Sequence, residues 1–241
     1  MREPHLGRSK ARPYLHGRFR LAALGLALVL AGGSSAQTVA ELPSGSGSVK
    51  TRSHPVSPVP GWIRLCKLRP DECAVNPAEP VTIPLTSQAW QTLARINRQV
   101  NAAINAMTDM EHWGVEDHWG LAEDGHGDCE DYQLVKRRRL VAAGFPRRAL
   151  RMTAVIDDNG EPHAVLMVRT DRGDFILDNK RDAVLPWRQT GYIYLQREDS
   201  TGSRWVSLGG AYVPPVATTS APASRKGGYA PASNRRLPES P

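Results

Sequence analysis

Gly125-His126-Gly127-Asp128-Cys129-Glu130-Asp131-Tyr132-Gln133-Leu134-Val135-Lys136 is a turn with two glycines that runs into a single cysteine, and the cysteine opens a segment that reads as a helix. A thiol at a helix N-terminus faces unpaired backbone N–H groups and the positive end of the helix dipole. Both favour the thiolate, which is the nucleophilic form. Downstream stand His163 and a strand-like run that ends in Asp178. A cysteine, an imidazole and a carboxylate are the parts of an acyl-transfer site. Alone, His163 reads as a polar residue at a strand edge and Asp178 as a turn former. Together, behind such a cysteine, they favour a catalytic set with Cys129 as nucleophile, His163 as base and Asp178 as the group that orients the base.

The segments on either side set the fold class. Leu134, Val135, Leu140 and Val141 supply a buried stripe for a helix over Cys129 to Ala143, and Gly144 and Pro146 stop it. Lys136, Arg137, Arg138 and Arg139 read as a solvated face near the negative end of the helix dipole. Three strand-like runs follow, Leu150 to Ile156, His163 to Thr170 and Asp174 to Asp178. Between them lie the turn sequences Asp157-Asp158-Asn159-Gly160 and Asp171-Arg172-Gly173. Tyr192 to Leu195 and Trp205 to Leu208 add two further strand candidates. Upstream, Thr86 or Ser87 caps a long helix whose apolar positions are Ala89, Trp90, Leu93, Ile96, Val100, Ala103, Ile104 and Met107. Its opposite face carries Arg95, Arg98, Gln99 and Asn101. The pattern is α+β, with a cysteine-bearing helix packed on an antiparallel sheet. Between the helices, Glu111 to Gly120 is an aromatic and acidic connector expected to fold its tryptophans over the site. His112, His118 and His126 have no metalloprotease spacing such as His-Glu-x-x-His, so zinc is not expected.

The ends of the chain explain its charge. The net charge of +7 is carried by Arg2, Arg8, Lys10, Arg12, Arg18 and Arg20 at one end and Arg225, Lys226, Arg235 and Arg236 at the other. The body between is close to neutral, so the basic balance gives no reason to expect a nucleic-acid partner. The first cluster precedes an apolar run, Leu21 to Ala31, and then Ser34-Ser35-Ala36, which is the layout of a cleaved secretory signal over residues 1–36. The apolar run is too short to span a bilayer as a helix. Residues 37–60 read from their Ser, Gly, Pro and Thr content as a flexible linker, 61–213 as the folded domain and 214–241 as a disordered tail. In an exported protein, Cys66 and Cys73 are most simply read as a disulfide closing a small loop, which leaves Cys129 as the odd thiol.

The stretch from Trp62 to Trp187 resembles the bacterial transglutaminase-like cysteine proteases, whose best-known members are periplasmic LapG-type enzymes that clip large adhesins from the cell surface. The resemblance is carried by the Cys66/Cys73 loop, Trp113-Gly114, Trp119, and Gly127-Asp128-Cys129-Glu130-Asp131-Tyr132 with Lys136. His163-Ala164-Val165-Leu166 and Leu177-Asp178-Asn179 complete it. It implies a papain/transglutaminase-like core and a Cys129–His163–Asp178 triad. It also implies calcium held by Asp128 and Glu130, and a periplasmic endopeptidase acting on a protein substrate, with a surface adhesin as the model substrate and an inhibitory membrane receptor as a partner. Members cut near small residues, often paired alanines. Calcium would also resolve an electrostatic conflict, because the carboxylates crowding Cys129 oppose its ionisation. Two other readings stay open: a transglutaminase-type acyl transferase, and a non-catalytic periplasmic binding module.

Overall fold

The computed structural model describes residues 42–43, 47–52 and 55–212. The signal expected over 1–36 and the tail expected over 214–241 lie outside the described residues. So do 37–41, 44–46 and 53–54 of the expected linker.

Five helices are described: α1 (Pro60–Leu68), α2 (Pro70–Cys73), α3 (Ser87–Ala103), α4 (Asp109–Trp113) and α5 (Cys129–Ala142). None is long and apolar enough to cross a membrane. The strands are β1 (Pro55–Val56), β2 (Asn105–Ala106), β3 (His126–Gly127), β4 (Leu150–Ile156), β5 (Pro162–Thr170), β6 (Gly173–Asp178), β7 (Arg181–Pro186), β8 (Ile193–Glu198) and β9 (Trp205–Ala211). β2 and β3 form a small parallel pair, and the other seven make one sheet in the order β1-β9-β8-β4-β5-β6-β7, antiparallel throughout. Alternation along β4, β5 and β6 gives the sheet two apolar faces. Leu150, Met152, Leu166, Val168, Phe175 and Leu177 meet the helices, with Leu93, Ile96 and Val100 of α3 and Leu134 and Leu140 of α5. Val155, Val165, Met167, Ile176, Tyr192 and Tyr194 build a second cluster on the other face, with Val49, Trp187 and Leu208.

The α+β expectation holds, and several local readings are corrected. α3 starts where expected, its N-cap Thr86 accepting the Ala89 N–H at 3.1 Å, but it ends at Ala103 and leaves Met107 outside the helix. The basic run is only half a solvated face: Arg138 and Arg139 are exposed, but Lys136 and Arg137 are fully buried, and Val141, read as core, is exposed. The reason is tertiary. α5 is flanked by both β5 and α3, so Gln133, Lys136 and Arg137 are enclosed along with its apolar side chains. Arg137 survives burial because it meets Glu198 of β8. β7 has no counterpart among the strand-like runs of the sequence. The described part of the linker stretch is attached to the domain: Val49 is buried, its N–H donates to Asp174 Oδ2 at 2.8 Å, and Pro55–Val56 pairs with β9. Cys66 and Cys73 form the disulfide expected of them, tying the end of α1 to α2.

Candidate active site

The double-glycine turn works in two ways. Gly125 has φ +84°, the left-handed region that favours glycine. At Gly127 a Cβ would lie 2.6 Å from Asp131 Oδ2. With no side chain there, Asp131 folds back so that its Oδ2 accepts the Asp128 N–H at 3.4 Å, closing the first turn of α5. Cys129 is the first residue of that turn and is partly buried.

The structure brings the three residues singled out from sequence to one place. His163 and Asp178 come from neighbouring strands and are both buried, with His163 Nε2 at 2.9 Å from Asp178 Oδ1. This leaves Nδ1 as the ring nitrogen that can serve a thiol. The N–H of Ala164, next to His163, points at Cys129 Sγ at 3.4 Å, so the nucleophile candidate meets β5 beside the imidazole. Burial alone would push the Asp178 carboxyl up. The His163 contact, the Tyr192 hydroxyl at 2.6 Å and the Lys180 N–H at 3.0 Å outweigh it and hold the group at about 2. Asp178 is therefore ionised throughout the neutral range.

Around the thiol the electrostatics run the other way. Burial, then the Glu130 and Asp128 carboxylates, push the Cys129 thiol well up, and the thiol donates to Glu130 Oε2 at 3.1 Å. Glu130 is itself pushed well up, by burial and by Asp128. Asp131 is raised to about 7, chiefly by burial. Asp109, at the start of α4, joins them: one ligand atom from each of Asp109, Asp128 and Asp131 falls within 4.8 Å of the others, and the same holds for Asp128, Cys129 and Glu130. Asp128 Oδ1 is buried with no hydrogen-bond partner. The two groups share Asp128 and its orphaned oxygen, and together they offer the kind of oxygen donors that a hard cation takes. The sequence pointed to Asp128 and Glu130 for this role; Asp109 and Asp131 come from the fold.

The sequence pattern of the bacterial transglutaminase-like cysteine proteinases, BTLCP, matches residues 51–212. The chain belongs to this family. It is thus a transglutaminase-like cysteine protease, a hydrolase, with the α+β core of that group. No curated protein sequence matches it. Among solved structures, Legionella pneumophila LapG is similar at 25% identity over 60% of this chain and 75% of that chain, with a TM-score of 0.42. Its calcium-bound form gives 24%, 63%, 79% and 0.43. Its EGTA-treated form gives 26%, 58%, 70% and 0.41.

In this protease several site neighbours lie outside the sequence reading. Asn97 and Asn101 of α3 grip the β6–β7 turn: the Asp178 N–H donates to Asn97 Oδ1 at 3.2 Å, and Asn101 Nδ2 donates to the Asp178 carbonyl at 3.0 Å. The sequence pattern places Asn101 on the polar face of its helix. A helical period of four residues linking two asparagines is the one signal that could have marked them. The aromatic connector packs on the acidic side of the site, the His118 N–H donating to Asp109 Oδ2 and the Gly120 N–H to Asp131 Oδ1 at 2.6 Å. Trp113 is half exposed, and with Trp119, Leu65, Leu68, His112 and His118 it lines a cavity of about 390 Å³ that reaches Asp131.

Proposed function

We propose that this cysteine protease is an exported, calcium-dependent endopeptidase in which Cys129, His163 and Asp178 act as a triad on a protein substrate. The observation that carries the reading is the buried His163–Asp178 pair beside Ala164, whose N–H meets the Cys129 sulfur. In this mechanism the Cys129 thiolate attacks the scissile carbonyl carbon and forms the C–S bond, with the proton held on His163 Nδ1. The Cys129 N–H, one of the free amides of the first turn of α5, faces the oxyanion. His163 gives its proton to the leaving amine as the C–N bond breaks. A water molecule then loses a proton to His163 and hydrolyses the thioester. Asp178 stays ionised and holds the imidazole by Nε2.

Asp109, Asp128, Glu130 and Asp131 would hold the calcium, whose charge would offset the carboxylates that oppose ionisation of Cys129. The family resemblance points to the periplasm and to a large surface adhesin as the substrate class. The test is the pH dependence of Cys129 alkylation by iodoacetamide, with calcium and with a chelator. The triad predicts reaction well below the ordinary thiol range of roughly 8.5 in calcium, lost with chelator and lost in His163→Ala. A thiol inert under every condition would leave the chain as a binding module.

Asp131 gives the calcium reading a second, activity-free readout. A carboxylate raised to about 7 keeps its proton in the folded metal-free protein, whereas the unfolded chain is already ionised near roughly pH 4. Between these values the folded state binds more protons, so metal-free stability falls as pH rises, and cation binding gains as the proton leaves. The rise in Tm produced by calcium is therefore expected to be larger at pH 8 than at pH 5.5. An equal rise at both pH values would remove Asp131 from the ligand set.

A further inference from the structure

Tyr192 is a buried residue whose hydroxyl reaches the site and which the mechanism above does not use. It follows Gly191, whose φ of +77° turns the chain into β8, and its own N–H donates to Thr190 Oγ1 at 3.2 Å. The backbone thus fixes where the ring enters. The hydroxyl donates to Asp178 Oδ2 at 2.6 Å, and the ring stands edge-on to the His163 imidazole at 89°, centroids 5.9 Å apart. Arg181 covers the tyrosine ring, its guanidinium carbon 5.4 Å from the centroid. A single side chain therefore touches both partners of the His163–Asp178 pair.

The two Asp178 oxygens have separate tasks. Oδ1 accepts from His163 Nε2 and from the Lys180 N–H, and Oδ2 accepts from Tyr192. A carboxylate held at both oxygens cannot rotate about its Cβ–Cγ bond, so Oδ1 stays in line with Nε2. The hydroxyl dipole also draws part of the carboxylate charge away from the imidazole.

We propose that Tyr192 is a positioning residue of the protease: it clamps Asp178 by Oδ2 and moderates the charge that Asp178 applies to His163. The proposal rests on the triad reading above. The charged and titratable groups facing this cluster are Asp178 of β6, His163 of β5, Arg181 of β7 with its partner Asp158, and Lys136 of α5, which is buried and drawn towards Asp178 and Asp182. Tyr194, beside it on β8, is the matched control. Its buried hydroxyl bonds Thr190 Oγ1 at 3.1 Å and the Trp187 carbonyl at 3.3 Å, and not Asp178.

The experiment is alkylation of Cys129 by iodoacetate across pH, in calcium, for the full chain. The anionic reagent needs the thiolate and is favoured by a neighbouring imidazolium, so the rate rises and then falls with pH. Tyr192→Phe is expected to lower the maximal rate by about threefold and to move the descending limb up by about half a pH unit, because the full carboxylate charge then acts on the imidazolium. Incorporation of difluorotyrosine at 192, a stronger donor of the same shape, is expected to move that limb down, and it retains the test if the Phe variant does not fold. Tyr194→Phe is expected to leave the profile in place. A Tyr192→Phe profile that superimposes on the wild type, or one shifted equally by Tyr194→Phe, overturns the proposal. His163→Ala run alongside separates the two levels: if it reacts like the wild type, the triad reading itself fails, whatever Tyr192 does.

Discussion

His163→Ala is expected to lower turnover of alanine-pair peptides by roughly a thousandfold, the range for loss of a general acid–base group. Two functions leave with the imidazole. Under the proposed triad the thiol loses its proton acceptor, and Glu130 does not replace it, because its bond to the sulfur keeps the proton on. The leaving amine also loses its proton donor. The fold should tolerate the change, because Asp178 keeps the Tyr192 hydroxyl and the Lys180 N–H. What it loses is part of the stabilisation that holds its carboxyl at about 2. That contribution is present above the unfolded carboxylate pKa of roughly 4 and disappears as pH falls towards 2. The variant should therefore melt close to the wild type at pH 2 and somewhat below it at pH 7. A quenched-fluorescence peptide assay in calcium, with Cys129→Ala as the blank, checks the rate. A loss of less than tenfold would remove His163 from the chemistry.

The largest stability effect is expected far from the thiol, at Glu198. This carboxylate is fully buried and accepts from Trp62 Nε1 at 2.8 Å, Arg147 Nη2 at 2.9 Å, the Met152 N–H at 3.0 Å and Arg137 Nη1 at 3.2 Å. Burial alone would raise it, and Arg147 and Arg137 outweigh that and hold it at about 2. One side chain thus joins α1, α5, the turn before β4, and β8. Glu198→Ala would leave two buried guanidinium groups without their common counter-charge. The cost of breaking such a pair is about 3–5 kcal/mol, which for a domain of this size lowers Tm by on the order of 10 °C. Glu198→Gln keeps an acceptor for either Trp62 or Met152, which donate to different carboxylate oxygens, but not the charge, and should fall between the wild type and the alanine variant. Urea unfolding followed by tryptophan fluorescence would measure both. An unchanged midpoint for the alanine variant would mean that Glu72, which both arginines also reach through its carbonyl, suffices alone.

Which parts of this could be read from sequence follows from the range of the forces involved. Periodicity and turn chemistry are local, so α5, the start of α3 and the strands β4, β5 and β6 were legible within a residue or two. Cys129 stood out because a glycine turn, a helix start and flanking acids are all neighbours in the chain. β7 was not legible, since Arg181–Pro186 opens on two charged residues, ends on proline and becomes a strand by pairing with β6. The basic run of α5 misled because hydropathy assumes that charge seeks water. Arg137 finds its partner 61 positions away, at Glu198. Tyr192, Asn97 and Asn101 were missed for the same reason, as each acts on Asp178 through a contact that no spacing rule encodes.

The sequence by itself determined the α+β class, the helix that opens at Cys129, and the residue types able to carry acyl transfer. Local backbone preference and short-range capping are enough for that. The tertiary structure alone decided which groups surround Asp178, that Asp109 joins the acids at the start of α5, and which charges could be buried. Those outcomes depend on distances between strands and helices far apart in the chain, where the free energy of a buried charge is set by partners that only folding brings within reach.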